Sequence, residues 1–598
     1  MNKQKIFLIS PISFLSKTFY SFLKKFNYDV YCRGRFDKDV LSDTANDHYD
    51  QASDAFRAFT DDHIQQDRIK AIAEKYGLDP TCLGKFSRDV MMSVWHFDFC
   101  FTFTAVKKFA SSNAIIGFVS YPPTWWKSLE DILGYKTNIF FSAILMFERR
   151  CRIFVKSTLK MILFSIKLLS WLFLRSKENY GYWQQNYIWL SGDKKNVLTR
   201  DSKKNSLPCF LSQLRVEGKI QQKFIIIAPA LKKDEWWEDE DVVARSNVWD
   251  FFPDVSLSEV GGILKQFFYL YIHLFFNFFS SKPDFEILIA LFDYIFIGFV
   301  LQKLDPKAVL YSQSTFGAGN SFVYASAEKK IKSFLIYYGA SNFRPAVESK
   351  VTYQLFTSEC QNVIADHIFV WNEHTRKHFE SIGREKNVHI VGTQIFSPCY
   401  PLNHFKPNTR FTIGVFFGVP FAKEHIYRMG LGNYFHDVSY CAEFWRSLFS
   451  VVSKVYQEQF MFLVKLKIRG NNQKHYDTWF RSLKKEYPFF DDVVQICSET
   501  ENLWDLVQRT DCCVSTALSS AACVPLDFGI PSIHYDQAGI VKPIDNLGIP
   551  LLCDENFLIQ WFRDLRNGRI KKYKIDGKKF DLGAVSLARM LNLIMSES

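Results

Sequence analysis

Four hydroxyl side chains, Ser515, Thr516, Ser519 and Ser520, crowd one stretch of the chain, between the apolar Cys512-Cys513-Val514 and the small Ala521-Ala522. The run from Asp511 to Ala522, continued by Phe528-Gly529-Ile530-Pro531-Ser532-Ile533-His534-Tyr535-Asp536, reads as strand, turn, short helix and second strand. That order sets the hydroxyls at the carboxyl end of a buried strand. In open α/β sheets this edge receives ligands, because helix N-termini there present unpaired N–H groups and positive dipole ends to phosphate. The chemistry implied is capture of a phosphorylated ligand, with a nucleotide sugar the leading candidate. An ordinary helix N-cap, for which serine is favoured with no ligand at all, is the competing reading.

A second cluster supplies positive charge. Lys465 and Lys467 close the apolar run that begins at Phe460, and alternation along a strand sends both to one side, with Arg469 and Gly470 just beyond. They form a clamp for phosphate facing the Ser519-Ser520 turn; a solvated strand end is the alternative. Gly317, Gly319, Gly339 and Gly392 fall at strand ends, where a backbone approaches a ligand or a second lobe.

The elements that must position these groups alternate in type. Buried strands are expected at Phe224–Ala228, Ala308–Tyr311, Ser333–Tyr338, His367–Trp371 and Val388–Gly392, with helices at Phe322–Lys332 and Glu373–Ile382 between them. After the proline-containing stretch 398–408, strands recur at Phe411–Phe417, Phe460–Lys467 and Val493–Cys497, separated by helices at Cys441–Gln457 and Tyr476–Glu486. Strands and helices alternating at this spacing build parallel sheets covered on both faces. The fold class expected is therefore α/β, with two Rossmann-like doubly wound lobes facing a cleft. The N-terminal lobe spans 1–405 with a helical, partly membrane-facing insertion at about 125–305, and the C-terminal lobe spans 406–598.

Composition narrows the partners. The 598 residues carry a formal net charge of +12, which favours an acidic partner. No zinc-finger spacing, RNA-binding aromatic signature or basic tract argues for nucleic acid. Hydrophobic residues make up 48%, with 60 phenylalanines, yet a mean hydropathy of −0.09 does not fit a protein of many membrane spans. The thirteen cysteines form no C-x-x-C pair and read as reduced thiols of a cytoplasmic protein. The opening Ile6-Phe7-Leu8-Ile9 is cut by Pro11 and Lys17 and is expected to be a first strand rather than a signal peptide.

Between Phe147 and Arg175 the chain is nearly continuously apolar, but Arg149, Arg152, Lys156, Lys160 and Lys167 interrupt it, within an arc of about 80° on a helix. A helix lying in the membrane plane, its cations reaching anionic headgroups, is expected here; a buried interdomain helix with one solvated face is the alternative. Two further apolar helices, Ile263–Phe279 and Phe285–Leu304, read as a hairpin packed in the N-terminal lobe, the alternative being that it is part of the same membrane-facing surface.

The segments Asp366-His367-Ile368-Phe369-Val370-Trp371, Val391-Gly392, Val464-Lys465-Leu466-Lys467 and Asp511 to Asp536 resemble, in order and spacing, the bacterial polysaccharide-biosynthesis proteins named for a PFTS motif. These are relatives of GT-B glycosyltransferases and, more distantly, of capsule Kdo transferases and CDP-glycerol glycerophosphotransferases. The last run resembles D-x-x-x-S-x-P-F-T-S-T-A followed by G-x-P-S-I-Y-Y-D. Here the four motif positions are Ala517-Leu518-Ser519-Ser520, so the hydroxyl pair is kept and Pro and Phe are lost. The resemblance covers roughly residues 305–540. It implies transfer of a sugar from a nucleotide donor to a glycan or lipid-linked glycan acceptor of O-antigen or capsule. The transfer would take place at the cytoplasmic face of the inner membrane, without a cofactor or metal, the departing phosphate being neutralised by basic side chains and helix N-termini.

On that reading a carboxylate of the N-terminal lobe deprotonates the acceptor hydroxyl. Asp234 and Glu235, in the loop Lys232-Lys233-Asp234-Glu235-Trp236-Trp237, are candidates, with Glu348 a competitor; a solvated loop is the plainer account of the first two. A non-hydrolysing nucleotide-sugar epimerase and a non-catalytic scaffold of the polysaccharide machinery are the rival functions.

Overall fold

A computed structural model describes residues 5–9, 14–26, 29–32, 52, 55–56, 58–60, 66–109, 115–119, 121–173, 187–190, 211, 223–227, 237–238, 242–245, 255–280, 282, 284–311, 320–337, 365–370, 373–381, 387–391, 410–417, 438–457, 459–466, 473–497, 501, 503–516, 519–537, 539, 549–570, 589–594 and 596. Three sheets, parallel but for one edge pair, organise them. The first has the order β2-β1-β3-β4, from β1 (Lys5–Ile9), β2 (Asp29–Cys32), β3 (Ile115–Val119) and β4 (Lys136–Thr137).

The second sheet is eight-stranded: β5 (Tyr187–Leu190), β6 (Phe224–Ile227), β7 (Trp237–Glu238), β8 (Val242–Arg245), β9 (Ala308–Tyr311), β10 (Lys332–Ile336), β11 (His367–Val370) and β12 (Val388–Ile390). They run in the order β12-β11-β10-β9-β5-β6-β8-β7. All pairs are parallel except the edge pair β7–β8. The strand order reverses between β5 and β9, so this sheet is doubly wound.

The third sheet holds β13 (Phe411–Phe416), β14 (Phe460–Lys465), β15 (Val494–Ile496), β16 (Cys512–Thr516), β17 (Ser532–Tyr535) and β18 (Leu551–Leu552), in the order β15-β14-β13-β16-β17-β18. Numbered within the sheet this is 3-2-1-4-5-6, all parallel, the doubly wound dinucleotide-fold order. The α/β architecture of two doubly wound sheets expected from the sequence is thus present, with the β1–β4 sheet added to it. The span 125–305, expected to be a helical insertion, also supplies β5, β6 and β8 to the middle of the second sheet. Four-residue apolar runs such as Phe224-Ile225-Ile226-Ile227, buried throughout, are what a parallel strand covered on both faces requires.

The helices, in chain order, are α1 (Phe14–Lys25), α2 (Gln66–Tyr76), α3 (Pro80–Phe109), α4 (Trp126–Leu133), α5 (Ile139–Phe173), α6 (Leu257–Asn277), α7 (Asp284–Leu304), α8 (Asn320–Glu328) and α9 (Glu373–Ser381). They continue with α10 (Val438–Tyr456), α11 (Gln473–Glu486), α12 (Phe490–Val493), α13 (Leu503–Val507), α14 (Val524–Asp527) and α15 (Glu555–Arg566). On α10, Phe444, Trp445, Leu448, Phe449 and Val452 recur at helical spacing and are buried in one core with β13, β14 and α15. Each such side chain contributes about 1.5–3 kcal/mol relative to exposure. The residues at 589–594 are helical and return Met590, Leu591 and Ile594 to the core of the eight-stranded sheet, so the end of the chain packs on the N-terminal part rather than within the expected 406–598 lobe.

Among the described residues one helix, α7, is long and apolar enough to cross a membrane, and it is mostly buried. Two of its carboxylates are paired within the protein: Asp284 with Arg68 at 2.5 Å and Asp293 with Lys160. It is the core half of the expected hairpin. Helix α6 divides, burying Val260, Phe267, Leu270 and Leu274 and exposing its opposite face.

Candidate functional site

The six-stranded sheet reverses its order between β13 and β16, and in open α/β sheets ligands bind at the carboxyl edge of such a reversal, here beside Phe416 and Thr516. The hydroxyl-rich turn singled out in the sequence begins at that point. Phe416 is in register with Lys465 on one side and with Ser515 on the other, and Ser515 is in register with His534. Residues in register on parallel strands project to the same face, so Lys465, Phe416, Ser515 and His534 form one row across β14, β13, β16 and β17. Two strand spacings separate Lys465 from Ser515, about 10 Å between their backbones.

Within the row each polar group has a defined partner. The Lys465 ammonium, on a half-buried side chain, donates to the carbonyl of Glu501 at 2.5 Å, and the Glu501 carboxylate pairs with Arg509. Ser515 is fully buried; its hydroxyl lies 3.4 Å from the Ile533 carbonyl and 2.9 Å from His534 Nδ1. His534 Nδ1 also lies 3.2 Å from the Thr516 carbonyl. A carbonyl only accepts, so Nδ1 carries the proton, Ser515 Oγ accepts from it and donates to Ile533, and Nε2 is left as a bare acceptor. Nε2 is buried without a partner among the described residues, and burial lowers the imidazole pKa to about 4. His534 is neutral at pH 7.

On the other face of the sheet, Tyr535 lies 2.5 Å from Ser447, which donates to Glu555 at 2.8 Å. Beyond it the Tyr440 hydroxyl donates to the buried Asp536 carboxylate at 2.9 Å, and Gln537 Nε2 donates to the Tyr440 carbonyl at 2.8 Å. These bonds fasten α10 and α15 to the edge of β17. Ser519 is half-buried and precedes the 3₁₀ turn Ser520–Cys523, and its side chain makes no capping bond to that turn. The N-cap alternative does not account for its hydroxyl.

The structure thus brings Lys465, Ser515, Thr516, Ser519 and Ser520 to one sheet edge. Ser515 and Thr516 are enclosed in the sheet, which makes Ser515 an orienting group for His534 rather than an exposed donor. Lys467 and Arg469 lie outside the described residues, as do Asp234, Glu235, Glu348, Gly317, Gly319, Gly339 and Gly392. The sequence assigns no role to Tyr440, nor to His534 and Asp536 within Ser532-Ile533-His534-Tyr535-Asp536. Period-two alternation, which puts His534 on the Ser515 side, was the available signal. Two motif carboxylates prove to be sheet staples. Asp511 Oδ2 accepts from the Thr412 amide at 2.8 Å, and Asp366 Oδ2 accepts from the Ser333 amide and hydroxyl at 2.8 and 2.9 Å.

The expected five-cation stripe on α5 is rearranged by packing. Arg149 is buried over the Trp95 ring at 4.4 Å, and with Arg150 it opposes the upward push that burial gives the Glu286 carboxyl. Lys160 pairs with Asp293, and Lys167 is half-buried. Arg152 and Lys156 are exposed. Among the described residues no group of three His, Cys, Asp or Glu side chains is placed to hold a metal ion.

Residues 276–562 match the model of the polysaccharide biosynthesis PFTS motif protein family, so the family resemblance read from the sequence stands over that span. No curated protein matches the chain. Similar solved structures include the wall teichoic acid polymerase TagF, 11% identical, covering 75% of this chain and 98% of that one at a TM-score of 0.39. They also include the UDP-GlcNAc 2-epimerase of Methanocaldococcus jannaschii, 10% identical, covering 69% and 100% at 0.38. A third is the sucrose-phosphate synthase of Thermosynechococcus elongatus, 12% identical, covering 69% and 100% at 0.38.

Proposed function

We propose that this chain is a glycosyltransferase of bacterial surface polysaccharide biosynthesis, moving a sugar from a nucleotide donor to a glycan acceptor of O-antigen or capsule. One observation carries the reading: the family-matched strand that ends in Ser515-Thr516 ends at the switch point of a sheet with dinucleotide-fold order, in the same row as the lysine that ends β14 on the far side of β13. Ligands of open α/β sheets bind at such crevices.

In this account the residues from about 406 onward hold the donor. Lys465, with Lys467 and Arg469 further along the same segment, balances the charge of the departing phosphate, and Ser519 and Ser520 donate hydrogen bonds to it. His534 and Ser515 fix the strand ends behind them. The acceptor base comes from the N-terminal part, with Asp234, Glu235 and Glu348 the candidates. Charge balance by fixed cations needs no metal.

The test is turnover of a panel of labelled nucleotide sugars, with and without membrane-extracted acceptor, reading both free nucleotide and label in the glycan. Wild-type protein is expected to transfer label from one donor, and Lys465→Ala to reduce kcat/KM by about tenfold or more, as loss of a charge-assisted contact does. Label epimerised but never transferred would support an epimerase instead. No turnover of any donor, combined with no nucleotide binding, would leave a scaffold.

A further inference from the structure

We infer that α5, α6 and the end of α1 form one docking face for the surface of an anionic lipid bilayer. On α5, Val155, Leu159, Leu163 and Ile166 are each about half exposed or more and share one side of the helix, at about 100° per residue. On α6 Phe268, Tyr269, Phe275 and Phe276 are exposed, and Phe279 just past its end is exposed as well, Phe276 and Phe279 to 75% and 78%. Exposed Ile162 and Leu169 continue the α5 face round the helix to the half-exposed Phe147, which stacks on Phe279 at 6.4 Å, and Phe154 beside it meets Phe275 at 6.4 Å. At the start of α5, Phe141 packs on Phe19, and α1 extends the surface with exposed Phe22 and Phe26. A contiguous aromatic and aliphatic surface of this kind is what a monomeric soluble protein avoids.

The face is rigidly built. Arg150 donates to the carbonyls of Phe278, Ser280 and Lys282, fixing the carboxyl end of α6 against α5 with a cation where the helix dipole is negative. At its other end α6 carries a capping box, Ser256 with Glu259, and Lys303 of α7 pairs with Glu259 at 2.5 Å. The aromatic rings are presented outward by a fixed scaffold.

Charge decides the occupant. Arg152 and Lys156 are exposed toward one border of the α5 face, Lys265 is exposed on α6, and Lys25 ends α1. The carboxylates of these helices and of α7 are engaged elsewhere: Glu148 with the Leu15 amide, Glu259 with Lys303, Asp293 with Lys160, Asp284 with Arg68, and Glu286 beside Arg149 and Arg150. Among the described residues the surface is apolar with a cationic border, and no exposed carboxylate of these helices is left unpaired. A second copy docked face to face would set like charges against each other, whereas acyl chains with anionic headgroups complement both features. The inference does not rest on the transferase reading.

Flotation of the full chain with vesicles tests it. Wild type is expected to float with phosphatidylcholine vesicles containing phosphatidylglycerol and only poorly with phosphatidylcholine alone. Arg152→Glu with Lys156→Glu is expected to weaken binding to the anionic vesicles at least tenfold at low salt. Phe276→Ser with Phe279→Ser is expected to weaken binding at low and high salt alike. Leu159→Ser with Ile166→Ser provides an independent pair, and unchanged circular-dichroism melting confirms the fold of each variant. Wild type that stays unbound, apolar variants that bind undiminished, or a dimer in sedimentation velocity that the same Phe substitutions dissociate, would each overturn the bilayer as the partner.

Discussion

The Ser515 hydroxyl stands 2.9 Å from Nδ1 of His534, across the β16–β17 ladder and one residue short of the strand end where the candidate ligand site opens. Serine, imidazole and the Thr516 carbonyl fix the ring's tautomer, so the edge of the sheet is shaped by a neutral histidine with no access to water.

That histidine makes stability depend on pH. Its folded pKa of about 4 lies below the ordinary value of 6.5, because burial penalises the charged ring, so the unfolded chain takes up the proton first as pH falls. The contribution is complete above about pH 6.5 and is lost progressively toward pH 4, amounting to about 3 kcal/mol at most. Urea unfolding at pH 7.5 and 4.5 is expected to show a smaller loss for His534→Gln than for wild type. Equal losses would place the acid sensitivity elsewhere.

Asp366 and Asp511 perform the same task in different sheets, each accepting from the first amides of a neighbouring strand. Asp511→Ala leaves the Thr412 amide without its side-chain acceptor and is expected to cost about 1–3 kcal/mol, while Asp511→Asn, which retains an acceptor oxygen, restores most of it. Thermal or urea unfolding of the pair checks this. No difference between Ala and Asn would mean the carboxylate is not a structural staple.

Gly414 faces Cys513 across the β13–β16 ladder, and a methyl group there would sit 2.9 Å from the Cys513 sulfur and 3.1 Å from Thr510 Cγ2. Gly414→Ala is expected to destabilise by about 1–3 kcal/mol through overpacking at the switch point, and Cys513→Ala in the same chain to recover part of that. Additive effects of the two substitutions would show that the close approach is relieved without strain.

Much of this was legible in the sequence where a signal was local. Phe411–Phe416, Cys512–Thr516 and Ala308–Tyr311 are short apolar runs bounded by turn residues, and each is a buried strand. The doubly wound character followed from their alternation with helices. What was not legible depends on partners distant in the chain. Lys5–Ile9 reads as a strand, but that it joins Asp29–Cys32 and Ile115–Val119 in a sheet of its own is decided by pairing across long separations. The cations of α5 fall in one arc, yet Trp95 and Glu286, on α3 and α7, bury Arg149 while Arg152 stays in solvent. Alternation assigns His534 a face of its own strand, but that its ring meets Ser515 is decided by the register of β16 against β17. Similarly, nothing local to Asp366 or Asp511 indicates the amides of Ser333 and Thr412 that they accept from.

The most direct measurement is a thermal-shift panel of UDP, GDP, dTDP, CMP and CDP on wild type, Lys465→Ala and Ser519→Ala. A nucleotide bound at the carboxyl edge adds RT ln(1 + [L]/Kd), about 2.7 kcal/mol at a hundredfold excess over Kd. The account expects one nucleotide to raise the wild-type melting temperature and both substitutions to diminish the rise. A shift of the same size in all three proteins, or none with any nucleotide, would contradict a donor site between β14 and the turn after β16.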